Sequence, residues 1–315
     1  RGPGPVAGHE TTDDQPAVRN QRQVEEHISM RLTRRWVFSG ASGGALGLLA
    51  AACAGATQTA PAGPTTAPSP AATPEPRELV VLAAASLTDA FTEMGEDFPR
   101  QPGNAGIKLT YSFGASSQLR VQLEQGAPGD VFASADTVQM DNAVKANTIQ
   151  GAPTTFARNR LVVIVPKANP AGITTLADLA RPGAKFVTTT PDVPVGNYTR
   201  QMLEKLAADP QLGAGFDQRV RGNVVSEEAN VRQVVTKVQL GEADVGVVYS
   251  SDVTPQSAPA LTTIEIPDTF NVIALYPAAV ARAAKAPATA ARFVQYLISP
   301  PGQAILKKYN FIPLG

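Results

Sequence analysis

From residue 78 onward the chain alternates between short apolar runs and stretches in which apolar residues recur every three or four positions. Short buried runs read as strands, and the 3.6-residue period reads as helix. Glu78–Ala84 predicts a buried strand, after which Leu87, Ala90, Phe91, Met94 and Phe98 keep helical spacing. Ile107–Phe113 predicts a strand that leads into a helix over Ser116–Gln125. Further strands are predicted at Val131–Ser134, Arg160–Pro166, Phe186–Thr190, Val224–Val225, Asp244–Tyr249 and Asn271–Val280. Helices are predicted from Asp136, over the short segment "TLADLA", and at Tyr198–Ala208, Val231–Leu240, Ala288–Ser299 and Gly302–Tyr309. This alternation points to an α/β fold whose parallel sheets carry helices on both faces. No repeat of fixed period is evident.

In such folds ligands lie beyond the carboxyl ends of the strands, where the following helices begin. Four of these junctions stand out. "VLAAASLTDAF" places Ser86 at a strand-to-helix turn, and "YSFGASSQL" does the same for Ser116. "PDVPVGNYT" sets Val195 at a helix start, and "SEEANVRQVV" sets Val231 in another first turn. Serines there serve equally well as plain N-caps. The first-turn N–H groups, however, have no intrahelical partners, and each helix start carries roughly half a positive charge. Four starts facing one cleft would offer about the two positive charges that a dianion requires.

Composition narrows the chemistry. The chain has 315 residues, 43% of them hydrophobic, enough for one or two packed domains. Residues 1–52 hold six arginines and five acids, which leaves 21 basic and 22 acidic side chains from residue 53 on. That balance gives no reason to expect nucleic acid as a partner. Both histidines, His9 and His27, precede the single cysteine, Cys53. A chain processed at Cys53 therefore has no Ser-His-Asp or Cys-His nucleophile, no His-ligated metal and no disulfide. No phosphate-cradling Walker loop or dinucleotide fingerprint is present. Carboxylate, lysine or tyrosine catalysis stays open, but no pair of such residues stands out.

The first 77 residues read as processing signal and spacer. "RLTRRWVFSGASGGALGLLAAAC" has a basic start, a 17-residue uncharged run and then Cys53. Leu49–Cys53 resembles a bacterial lipobox, in which the cysteine is lipidated, and Arg34–Arg35 loosely fits a twin-arginine export signal. The segment 1–53 is therefore an expected lipoprotein export segment, with 1–29 an upstream extension before Met30. Residues 54–77, rich in Thr, Ala and Pro, are an expected disordered tether.

The segments "AAASLTDAF", "SFGASSQL", "QGAPGDVFASAD", "NRLVVIVPK", "VGVVYSSD" and "SPPGQAILKKYNFIP" together resemble, in the same order, those of the extracytoplasmic molybdate-binding receptors of ABC transporters. The resemblance runs from about Glu78 to Gly315. It implies a two-lobed periplasmic-binding-protein type II architecture, each lobe a mainly parallel sheet with helices on both faces, joined by a hinge of two crossover segments. The expected lobes are residues 78–157 plus 252–315 and residues 158–251. The resemblance also implies site residues. Ser86 and Ser116 would donate to the oxyanion through hydroxyl and backbone N–H, Val195 and Val231 through backbone N–H alone, and the Tyr249 hydroxyl would close the cage. Asn230 could add a side-chain donor. Asp192 and Glu228 are the acids that would matter in the carboxylate-containing coordination of some distant relatives. The implied ligand is molybdate or tungstate, bound only through these residues, with no cofactor. The implied partners are ABC permease subunits with a cytoplasmic ATPase. The protein is expected to be a monomer, lipid-anchored through Cys53 outside the cytoplasm. A receptor for another oxyanion such as sulfate, or an extracytoplasmic enzyme on the same scaffold, are the alternatives.

Overall fold

The computed structural model describes residues 78–314, together with Arg1, Gly2 and Gly4. Cys53, the remainder of the expected export segment and the tether lie outside the described residues. All elements below belong to the unit Ser69–Gly315.

The first sheet comprises β1 (Glu78–Ala84), β2 (Lys108–Gly114), β3 (Val131–Ala133), β4 (Ile149–Asn159) and β10 (Ala274–Ala281), in the order β2-β1-β3-β10-β4. The second comprises β5 (Leu161–Pro166), β6 (Phe186–Thr189), β7 (Val224–Glu228), β8 (Val245–Tyr249) and β9 (Leu261–Glu265), in the order β7-β6-β8-β5-β9. Each sheet is half parallel. β1 pairs parallel with β2 and β3, while β10 runs antiparallel to β3 and β4. β6 pairs parallel with β7 and β8, while β5 runs antiparallel to β8 and β9. The antiparallel strands are those next to the chain's passages between sheets, where no crossover helix is needed to reverse direction.

The helices are α1 (Thr88–Asp97), α2 (Ser116–Glu124), α3 (Thr137–Lys145), α4 (Pro194–Ala207), α5 (Phe216–Gly222), α6 (Val231–Gln239), α7 (Pro287–Leu297) and α8 (Pro300–Lys308). Sequence explains their seating. In α6, Val231, Val234, Val235 and Val238 are all buried, the i, i+3, i+4, i+7 stripe of a helix lying on a sheet. In the first sheet's core, Phe293 of α7 meets Phe91 and Phe98 edge-on, with centroids 5.7 and 5.3 Å apart. Such pairs contribute about 0.5–1.5 kcal/mol each beyond area burial.

Three elements depart from the sequence reading. β4 and β9 were not expected as strands, and α5 was not expected as a helix. β4 holds Gly151 and Pro153 and pairs with β10 through two register shifts, so no period-2 pattern survives in it. α4 begins at Pro194, four residues before the apolar period shows, because proline suits a first turn. The passages between sheets also differ. β4 continues to Asn159, and β9 still pairs with β5. The second sheet thus extends past residue 251 to Glu265, and the chain returns between Glu265 and Ala274.

Candidate oxyanion site

The parallel register sets the site. Ala84 of β1 lies opposite Gly114 of β2, so Ser86 and Ser116, each two residues further on, start neighbouring helical turns. In the second sheet Thr189 of β6 lies opposite Glu228 of β7, and α4 and α6 begin just beyond. The carboxyl ends of both sheets' parallel strands enclose one small cavity. Ala84–Ser86, Gly114–Ser116 and Ala135 line it from one side, and Val193–Val195, Asn230–Val231 and Tyr249 from the other. All five sequence-expected site residues, Ser86, Ser116, Val195, Val231 and Tyr249, are brought together there, each at most 4% exposed.

Its space is about 10 Å³, on the scale of one small ion or water. Sites for organic ligands occupy hundreds of Å³, so an amino acid or sugar has no room. No Lys, Arg, His, Asp or Glu lines it. What remains is backbone N–H and hydroxyl. Pro194 has no N–H, so Val195 carries the first donor of α4. Asn230 caps α6 with Oδ1, which accepts from Arg232 and Gln233 N–H, leaving the Val231 N–H outside the cap. That oxygen is thereby committed to the helix. Gly196 permits the close seating of α4, since a Cβ there would stand 2.4 Å from the Thr190 carbonyl oxygen.

The hydroxyls are held differently. Ser116 Oγ accepts from the Ala135 N–H at 3.0 Å. Ser86 Oγ lies 2.9 Å from Tyr276 Oη. Tyr249 Oη has no hydrogen-bond partner from the protein, although its ring is clamped edge-on by Tyr276 and Tyr198 at 5.7 and 6.4 Å. Burial pushes the Tyr249 hydroxyl well above its ordinary pKa, so it stays protonated and able to donate.

Behind the cavity Arg232 joins the two sides. It donates to the Ala85 carbonyl at 3.2 Å, pairs with Asp89 of α1, and sets Nε 3.2 Å from Asp252 Oδ1 without hydrogen-bond alignment. Asp252 is fully buried, and desolvation pushes its pKa up to about 6 despite the Arg232 charge. Asp192 and Glu228 do not line the cavity. Glu228 pairs with Lys237 at 2.6 Å, and hydrogen bonding, first from Thr190, holds the Asp192 carboxyl below its usual range. Among the described residues no cluster of His, Cys, Asp and Glu could hold a metal ion. Sequence reasoning missed Tyr276, Asn159, Arg232 and Asp252. Tyr276 meets Ser86 across 190 residues of chain, a separation at which periodicity carries no signal.

The model of the bacterial extracellular solute-binding proteins matches residues 79–312. The molybdate-binding protein ModA of Mycobacterium tuberculosis is 40% identical over 253 residues, 80% of this chain and 88% of that one. The solved periplasmic molybdate-binding protein of Azotobacter vinelandii aligns with a TM-score of 0.63 at 22% identity, covering 75% of this chain and all of the other. The sulfate-binding protein SubI of Mycobacterium tuberculosis aligns with a TM-score of 0.66 at 18% identity, covering 75% of this chain and 87% of that one. The fold is therefore shared by receptors of different oxyanions.

Proposed function

Since this chain belongs to the family of bacterial extracellular solute-binding proteins, we propose that its cavity captures molybdate outside the cytoplasm and that the protein delivers the anion to an ABC permease. Molybdate is cargo, carried unchanged. The observation that carries the reading is the donor set: helix starts from both sheets, and a tyrosine whose hydroxyl has no partner from the protein, line a cavity that no charged side chain lines. A site built this way neutralises a dianion with dipoles and offers it donors only.

In this reading Ser86 and Ser116 give hydroxyl and backbone N–H, Val195 and Val231 give backbone N–H, and Tyr249 gives its hydroxyl. The two sheets with their helices act as lobes that close on the ligand, which favours the state in which both contact it. Tungstate, alike in charge and shape, shares the site. The receptor works as a monomer without turnover, held at the membrane by a lipid on Cys53. Cys53→Ser should then move it from the membrane to the soluble fraction, and unchanged membrane association would contradict the anchor.

Sulfate is the second reading, favoured by the shared fold of SubI. Its shorter bonds to oxygen would leave stretched hydrogen bonds in a cage sized for the larger anion, and these weaken quickly beyond about 3.2 Å. Competition calorimetry decides between them. Molybdate and tungstate should bind alike, one per chain, and at least about a hundredfold tighter than sulfate, a gap of about 2.8 kcal/mol. Sulfate within tenfold of molybdate would overturn the molybdate assignment.

A further inference from the structure

Resting on the oxyanion reading above, we propose that Tyr276, oriented by Asn159, fixes the direction of the Ser86 hydroxyl proton and makes Ser86 a donor to the anion, so that this pair sets selectivity against anions that carry a proton of their own. Neither residue lines the cavity; both are positioning residues.

The polarity is set from the backbone. The Arg160 N–H can only donate, and it points at Asn159 Oδ1 at 2.9 Å, which fixes that atom as the amide oxygen. Ser250 Oγ, with one proton to give, lies 2.8 Å from the same oxygen and 3.0 Å from the Asn310 carbonyl. Asn159 Nδ2 is then a donor, to Ser251 Oγ at 2.8 Å and to Tyr276 Oη at 3.4 Å. Tyr276 is fully buried. The partners of its hydroxyl are Asn159 Nδ2 and Ser86 Oγ. An amide nitrogen cannot accept, so the phenolic proton goes to Ser86 Oγ. With Oη occupied as a donor, Ser86 has no acceptor on that side, and its own proton is left for the cavity that Ser86 lines.

Ser116 reaches the same state by a shorter route. The Ala135 N–H donates to its Oγ at 3.0 Å. The protein thus holds both serine oxygens as acceptors, and each has one proton to give. One lone pair of each serine oxygen is already taken by a protein donor, so a ligand that brings its own proton meets crowded acceptors and gains less than one that only accepts. The Tyr249 oxygen receives no donor from the protein, so it is the hydroxyl at which a ligand proton would be met.

Asn159→Asp reverses the wiring. Every neighbour of the new carboxylate can donate: the Arg160 N–H, the Ser250 and Ser251 hydroxyls and Tyr276 Oη. Tyr276 would turn its proton toward the carboxylate and accept from Ser86, whose oxygen could then accept from the ligand. Sulfate and phosphate at about pH 8, where phosphate is a singly protonated dianion, match in charge and differ in that proton. Calorimetry should show the phosphate-to-sulfate affinity ratio rising at least about tenfold in Asn159→Asp. In the double variant with Tyr276→Phe the relay is cut, and the ratio should equal that of Tyr276→Phe alone. Tyr276→Phe alone takes the donor away from the Ser86 oxygen, so it should weaken molybdate by about tenfold and also raise the phosphate-to-sulfate ratio. A merely structural role would move both anions alike in every variant. A folded Asn159→Asp with the wild-type ratio overturns the proposal, as does a double variant whose ratio differs from that of Tyr276→Phe alone. Should Asn159→Asp not fold, an unaltered phosphate-to-sulfate ratio in Tyr276→Phe overturns it alone. Wild-type protein that binds no oxyanion would instead remove the site reading on which it rests.

Discussion

Replacing Tyr249 by phenylalanine separates binding from folding more cleanly than any other change in the site. The ring is fully buried and packs edge-on against Tyr276 and Tyr198, contacts that phenylalanine keeps. The hydroxyl makes no hydrogen bond to the protein. Its removal therefore breaks no internal bond, and stability without ligand should stay within about 0.5 kcal/mol of the wild type or rise, since a buried hydroxyl without a partner is unfavourable. Binding should respond oppositely. A hydrogen bond to a charged group is worth about 1.5–3 kcal/mol, which corresponds to a molybdate Kd raised roughly tenfold to 150-fold. Urea denaturation without ligand and calorimetry with molybdate measure the two terms on one preparation. A Kd within threefold of the wild type would show that Tyr249 does not face the anion. A loss of more than about 1 kcal/mol of ligand-free stability would show that the hydroxyl has a structural partner.

Arg232→Met should weaken molybdate at least about tenfold, because the bonds to Ala85 and Asp89 that tie α6 to the Ser86 turn are lost. It should also destabilise the protein by about 1–3 kcal/mol, less than for a fully buried pair because the Arg232 side chain is 27% exposed; unchanged affinity in calorimetry would refute the tie. Asp252 holds its proton more tightly folded than unfolded, with a pKa near 6, so its contribution lowers stability as pH rises from about 4 to 6, by up to about 3 kcal/mol, and is constant above. Denaturation across that range should show the stability of the wild type falling relative to that of Asp252→Asn as pH rises; parallel profiles would refute it. Gly196→Ala should cost about 1–3 kcal/mol and weaken binding, because the added methyl meets the Thr190 and Thr189 carbonyls at 2.4 and 2.6 Å and displaces the Val195 amide; wild-type stability and affinity would contradict that seating.

How far the sequence was legible depends on the kind of signal each element carries. The valine stripe of α6 and the apolar run of β5 announce themselves, because burial on one face or both leaves a period. The four helix starts were legible for a related reason: strand ends followed by small residues and a helical period locate the mouth of an α/β sheet. β4 was not legible, because Gly151, Pro153 and its register shifts erase alternation in a strand that tertiary pairing alone stabilises. The boundary at residue 251 moved for the same reason, since β9 is a strand by virtue of its pairing with β5. The layer behind the cavity was the least legible. Tyr276 reaches Ser86 across 190 residues, Arg232 reaches Ala85 across 147 and Asn159 reaches Tyr276 across 117, and only the folded chain shows that their hydrogen-bonding capacities interlock.

The central claim is that one oxyanion sits where the helix starts of both sheets converge. Diffraction from crystals grown with tungstate tests it most directly, because tungsten scatters anomalously and marks its own position. The account predicts a single strong anomalous peak, within hydrogen-bonding reach of the Ser86, Ser116 and Tyr249 hydroxyls and the Val195 and Val231 N–H groups. A principal peak elsewhere on the molecule, or well-diffracting crystals with no peak at saturating tungstate, would contradict it.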